Sequence, residues 1–312
     1  MARWAKPAGR RLGFQIAGLA PDRMPTATLS AMRYAIDIPN FGDFANPRIT
    51  AEVAREAEAA GWDAVWVWDH VWRDEGVPYA DPWILLAAMA LATERIRLGP
   101  MVTPLPRRRP WIVAREAATL DQLSGGRVTL GLGLGSPLKE FAAFGEETDL
   151  KVRAEKLDEG IEIVSQCWSG ERFSFAGRHY DLHDVQFLPV PVQPRIPIWV
   201  AATWPVPAPF RRAARMDGVW PLRRNPDQTS SPLSPDDVAG VRDLIAELRT
   251  SPEPFDILVH GATPAGDPAA AMATAREFAA AGATWYTERI NASRGTFADM
   301  RRRIRAGPPR SD

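Results

Sequence analysis

Residues 50–70 read TAEVAREAEAAGWDAVWVWDH and contain one complete structural unit. In the first half Val53, Ala57 and Ala60 recur on one helical face with acids on the other, behind a Thr50 able to cap the helix. Gly61 supplies an end. The second half, AVWVW, is a short run of β-branched and aromatic residues that reads as a buried strand. It closes on Asp69-His70, which places an ionisable pair at the strand's rim.

The same alternation recurs along the chain. Strands are predicted over Arg33–Ile38, Ala64–Asp69, Ile96–Thr103, Val128–Leu134, Ile198–Ala202, Gly218–Pro221, Phe255–Gly261 and Thr284–Glu288. Helical segments lie between them, opened by Asp81-Pro82, Ser234-Pro235 and Asp267-Pro268 and ended at Gly125 and Gly282. Eight such units predict an α/β fold of the closed (β/α)8 barrel type, the TIM barrel. ERFSFAGRHYDLHDVQFLPVPVQP, residues 171–194, predicts a hairpin insertion between the fourth helix and the fifth strand. Residues 1–31 read as a weakly structured extension whose removal should leave stability nearly unchanged, and 32–312 as the barrel domain. The loop over residues 223–235 falls on the active face, as a lid or an ordinary connection.

Composition narrows the function. Lys plus Arg and Asp plus Glu number 38 each in 312 residues, so no global field favours nucleic acid or an anionic membrane. Cys167 is the one cysteine, which excludes an internal disulfide and a thiolate metal cluster and fits a reducing cytoplasm. No apolar run reaches the ~18 residues of a membrane span. Arg10-Arg11 before LGFQIAGLA superficially suggests an export signal, but the apolar part is short and no cleavage site follows, so a cytoplasmic location is expected. Arg301–Arg303 and Arg305 read as a solvated face.

In a barrel of this type the reacting groups sit at the C-terminal strand ends. There Asp69-His70 offers an imidazole able to act as acid or base; the plain alternative is a rim histidine that holds a loop. Gly131–Ser136, GLGLGS, lacks the spacing of a dinucleotide fingerprint. Its glycines either let a flat ring approach or serve barrel packing. His179 and His183 lie four apart but among β and turn residues, which offers no metal-ligand set. Arg107–Arg109 follow the third strand and either meet an anionic cofactor tail or form a solvated cluster.

Several blocks together resemble the luciferase-like family of flavin- and F420-dependent oxidoreductases. They are MRYAIDIPNFGDF, EAAGWDAVWVWDH, ERIRLGPMVTP, RRPWIVAREAATLDQLSGGRVTLGLGLGS, PVPVQPRIPIWVAA and GATWYTE, in order, over residues 32–288. The resemblance implies a reduced F420 or FMN ring across the barrel mouth, contacted by Met101, Val102, Leu134, Gly135, Ser136, Ala201, Ala202 and Thr203. It also implies a non-prolyl cis peptide between Met101 and Val102, with His70 and Asp69 as the catalytic pair. Asn40, His260 and Glu288 are substrate-side expectations from strand-end placement. Ser136 stands where the family's sugar-phosphate dehydrogenases carry an acid, and the tryptophan near the rim histidine is displaced to Trp72, so sugar-phosphate oxidation is not implied.

The leading expectation is therefore hydride transfer or monooxygenation on a small-molecule substrate, with F420 favoured over FMN and a homodimer as the assembly. A non-catalytic flavin-storage barrel and a metal-dependent hydrolase are the competing classes, the latter without ligands.

Overall fold

The computed structural model describes residues 32–225, 230–264 and 266–310. The expected extension over residues 1–31, and residues 226–229 of the expected lid, lie outside the described residues. In chain order the elements are β1 (Arg33–Ile38), α1 (Pro47–Ala59), β2 (Ala64–Val67), α2 (Pro82–Ala92), β3 (Arg97–Pro100), β4 (Thr103–Pro104), α3 (Pro110–Ser124) and β5 (Leu130–Gly133). They continue with α4 (Leu138–Ala143), α5 (Leu150–Trp168), β6 (Arg172–Ala176), β7 (Asp181–Gln186), β8 (Ile198–Trp204), α6 (Pro207–Ala213), β9 (Gly218–Arg224) and β10 (Ser230–Ser231). The last are α7 (Pro235–Leu248), β11 (Asp256–Gly261), α8 (Pro268–Ala281), β12 (Trp285–Arg289) and α9 (Phe297–Arg305).

Parallel pairings run in the order β3-β2-β1-β12-β11-β9-β8-β5-β4. The two ends of this path, β3 and β4, are successive pieces of one strand, parted at Met101–Val102, whose peptide bond is cis. Eight staves thus close into a barrel across that strand, with a parallel Leu98–Val128 bridge on the seam. The expected strand Ile96–Thr103 is interrupted at this bulge. Between α5 and β8 the chain forms an antiparallel pair, β6 with β7.

Local chemistry sets the helix starts. Asp81, Ser234 and Asp267 each accept backbone N–H bonds ahead of a proline. α1 begins three residues before the expected Thr50 cap, because Asn46 accepts from the Arg48 N–H and Pro47 takes the first turn. The Thr50 hydroxyl instead donates to carbonyls of that turn. Among the described residues no helix is long and apolar enough to cross a membrane.

Two cores result, one between sheet and helices and one inside the barrel. The inner core centres on Trp66, Trp199 and Trp285, with ring centroids 5.3, 5.4 and 5.6 Å apart in edge or tilted contact. Such pairs contribute about 0.5–1.5 kcal/mol each beyond burial. The neighbouring β3–β4 bulge leaves no room for a side chain on β5: a Cβ on Gly131 would lie 2.4 Å from the Pro100 carbonyl and 2.5 Å from Met101 Sδ. The first glycine of GLGLG therefore serves packing. Cys167 is buried, which pushes its thiol up to about 12 and leaves no thiolate at neutral pH.

Candidate active site

The C-terminal strand ends surround a cavity of about 450 Å3. All eight expected ring-contact positions line it: Met101 and Val102 at the bulge, Leu134, Gly135 and Ser136 after β5, and Ala201, Ala202 and Thr203 on β8. Gly135 alone of the three glycines reaches this cavity; its φ is +84°, and a Cβ there would meet Phe141 at 2.5 Å. The wall from Val102 to Ala202 is small and apolar, the form a flat ring system needs.

His70 faces the same cavity. Its Nδ1 lies 3.0 Å from Glu140 Oε2, and its ring packs between the edges of Phe41 and Trp68. Glu140 Oε1 also accepts from the Val71 and Trp72 N–H groups and from Arg107 Nη1 at 3.0 Å. Burial alone would raise the Glu140 carboxyl, but the hydrogen bonds from His70, the Trp72 and Val71 backbone, and Arg107 outweigh it and hold it down to about 2. A permanent carboxylate at Nδ1 favours the tautomer that leaves Nε2 for a substrate.

Asp69 has both oxygens engaged, one by Arg108 Nη2 at 3.0 Å and the other by the Thr103 hydroxyl at 2.9 Å. It is a carboxylate that ties two loops together beside the cavity. The tryptophan in ring contact with His70 is Trp68, at a centroid distance of 6.1 Å.

The three substrate-side expectations stand behind the cavity wall. Asn40 is fully buried; its amide donates to the His70 and Ala80 carbonyls and accepts from the His70 N–H, clasping the histidine's backbone. His260 accepts a 3.1 Å bond from Trp220 Nε1 at Nδ1, and burial pushes its pKa down to about 3, so it is a neutral support for a wall tryptophan. Glu288 faces Thr263, Arg294 and Arg303. Arg303 is thus an internal ion-pair partner, a correction to the solvated face expected of residues 301–305.

Arg107 and Arg108 correct the expected loop cluster in the same way. Their side chains are 5% and 18% exposed and hold Glu140 with Glu146, and Asp69, respectively. Sequence reading missed Glu140, and also Arg153 on α5, which donates to the Leu134 and Gly135 carbonyls and lies 3.8 Å from the Phe141 ring centroid. An adjoining cavity of about 280 Å3 shares Arg107 and Phe141 and is lined further by Arg109, Arg153, Lys156 and His179.

Residues 24–309 match the family model for luciferase-like monooxygenases. The chain belongs to this family. Among luciferase-like relatives, an F420-dependent glucose-6-phosphate dehydrogenase of Amycolatopsis mediterranei (strain U-32) is 39% identical over 170 residues, 53% of this chain and 50% of that one. The chain spans about half the length of the curated relatives it matches. The coenzyme F420 dependent tetrahydromethanopterin reductase of Methanopyrus kandleri has a TM-score of 0.72 at 19% identity, over 88% of this chain and 96% of that one. The oxygenating constituent of 3,6-diketocamphane monooxygenase of Pseudomonas putida, solved with FMN, has a TM-score of 0.61 at 20% identity, over 78% and 70%. These two likenesses show the barrel fold.

Proposed function

We propose that this chain is an F420-dependent oxidoreductase acting on a small organic substrate. The observation that carries the reading is the pairing of a flat, apolar wall with an adjoining cationic cavity. Val102, Leu134-Gly135 and Ala201-Ala202 suit a tricyclic ring, while Arg109 and Lys156 suit the longer tail of F420, which carries carboxylates beyond the phosphate that FMN also has. When bound, F420 supplies two-electron hydride chemistry. The protein's own part is placement and the proton. Nε2 of His70 takes the proton of a substrate hydroxyl in oxidation or returns it to a carbonyl in reduction, while Glu140 holds Nδ1. Ser136 brings no carboxylate to the cavity, and the oxygens of Asp69 and Glu140 are all engaged, which leaves the imidazole as the base.

Fluorescence quenching during titration of the purified chain with F420 and with FMN tests this. F420 should bind far more tightly, and the Arg109→Ala/Lys156→Ala double variant should weaken it by roughly tenfold for each charge-assisted pair lost, with a smaller salt dependence. Tight FMN binding indifferent to that variant would turn the assignment to an FMN monooxygenase. F420 binding without substrate-dependent reoxidation would favour storage.

The reading extends to a homodimer. α2 is apolar on every face and leaves Ile84 and Leu91 61% and 75% exposed. Light scattering should give twice the 34.4 kDa chain mass, and Leu91→Glu should give monomer; a monomeric parent chain would remove the assembly.

A further inference from the structure

The arginines around the cavity are not equivalent. Arg107 is shared between Glu140 and Glu146, and Arg212 grips Asp158 through two bonds of 2.7 Å. Arg289 is different. It ends β12, which lies four staves from β5 in either direction around the eight-stave ring, so it stands across the mouth from Leu134 and Gly135. Its neighbour in register is Asp37 on β1.

That carboxylate is fully buried, with Trp68 and Arg289 as its polar neighbours but no close hydrogen bond; its approach to Arg289 is 3.6 Å at Nε. At that separation Asp37 gives Arg289 a counter-charge without saturating its donors. Burial pushes the Asp37 carboxyl up to about 6 against the pull of Arg289. Among the described residues the Arg289 guanidinium makes no hydrogen bond. It lies over the Trp68 ring at 5.5 Å, its Nε is buried and unpartnered, and 31% of the side chain is exposed. A guanidinium carries five donors in a planar fork, and here only the Nε donor is buried, so the fork is open toward the cavity and free to take an oxyanion.

We propose that Arg289 is the substrate's anion anchor: the substrate is a small organic acid whose carboxylate takes the Arg289 fork, with Asp37 as a buried counter-charge behind it. The proposal rests on the oxidoreductase reading and adds the substrate class. A carboxylate matches one guanidinium through two parallel bonds, and Arg289 and His70 line the same cavity. Arg73, which lines the same cavity and makes no ion pair among the described residues, adds to the positive potential.

The test compares lactate with its neutral isostere lactamide and with inorganic phosphate. Ligand-induced melting shifts are read at matched ionic strength on the chain without cofactor, then with F420. Lactate should bind at least tenfold more tightly than lactamide. Arg289→Gln should erase that preference, and Arg289→Lys should keep part of it. Asp37→Asn should tighten lactate several-fold, since a competing carboxylate is removed. Equal binding of lactate and lactamide, or a preference that survives Arg289→Gln, would overturn the anchor. Phosphate binding more tightly than lactate in an Arg289-dependent way would overturn the carboxylate assignment. Failure of F420 to bind would sink the oxidoreductase reading while leaving the lactate preference in place, so the two failures are distinguishable.

Discussion

His70→Ala should lower kcat by roughly 10²–10⁴-fold with F420 and substrate supplied, with little change in melting temperature. The imidazole is placed by three independent restraints: Glu140 on Nδ1, the edges of Phe41 and Trp68 on the ring, and the Asn40 amide on its backbone. Only the first two are lost in the variant, and the backbone clasp remains, so the loop should stay in place. The variant opens a hole the size of the ring beside a mobile proton's path, and added imidazole should restore part of the rate. Steady-state kinetics with and without imidazole decide it. An unchanged kcat would make His70 a scaffolding residue. A loss confined to KM would give it a binding role without proton transfer.

How much of this was legible in advance differs between fold and site. The barrel was readable because burial on both faces of parallel strands writes continuous apolar runs such as AVWVW, and because capping side chains before proline mark helix starts. The expected ring-contact positions came from family blocks that span strand ends, and every one of them borders the cavity. Partners across the barrel were not. Glu140 meets His70 from 70 residues away, on a helix of six residues with no periodicity of its own. Arg107 and Arg108 looked like a solvated triplet because a run of charges carries no sign of which acids will fold onto it. Asn40, His260 and Glu288 were placed at strand ends correctly, but alternation alone does not say whether a strand-end side chain faces the mouth or turns into a loop beside it.

The second large effect is expected at Glu140. Glu140→Ala should cost about 3–5 kcal/mol of folding stability, because the lost carboxylate strands the buried Arg107 charge and the Val71 and Trp72 N–H groups together. The side chain is 1% exposed, so solvent cannot replace the missing acceptor. The same group sets an acid dependence in the unaltered chain. Its carboxyl is held at about 2 in the folded state against an ordinary 4.5, so the folded form binds that proton more weakly than the unfolded one. The sign follows: the contribution, on the order of 3 kcal/mol, is complete above about pH 4.5 and is lost as pH falls through about 2. Urea denaturation of parent and variant at neutral pH and at successively lower pH reads both effects. The stability gap should narrow on acidification, since protonation removes from the parent what the mutation removed already. Glu140→Gln separates charge from shape: it keeps an oxygen for the backbone N–H groups but no negative charge for Arg107 or for the His70 Nδ1–H. It should therefore recover part of the stability of Glu140→Ala while leaving kcat depressed. A gap that stays constant with pH would show that Glu140 acts by packing alone, and parent-level kcat in Glu140→Gln would show that its charge does not orient His70.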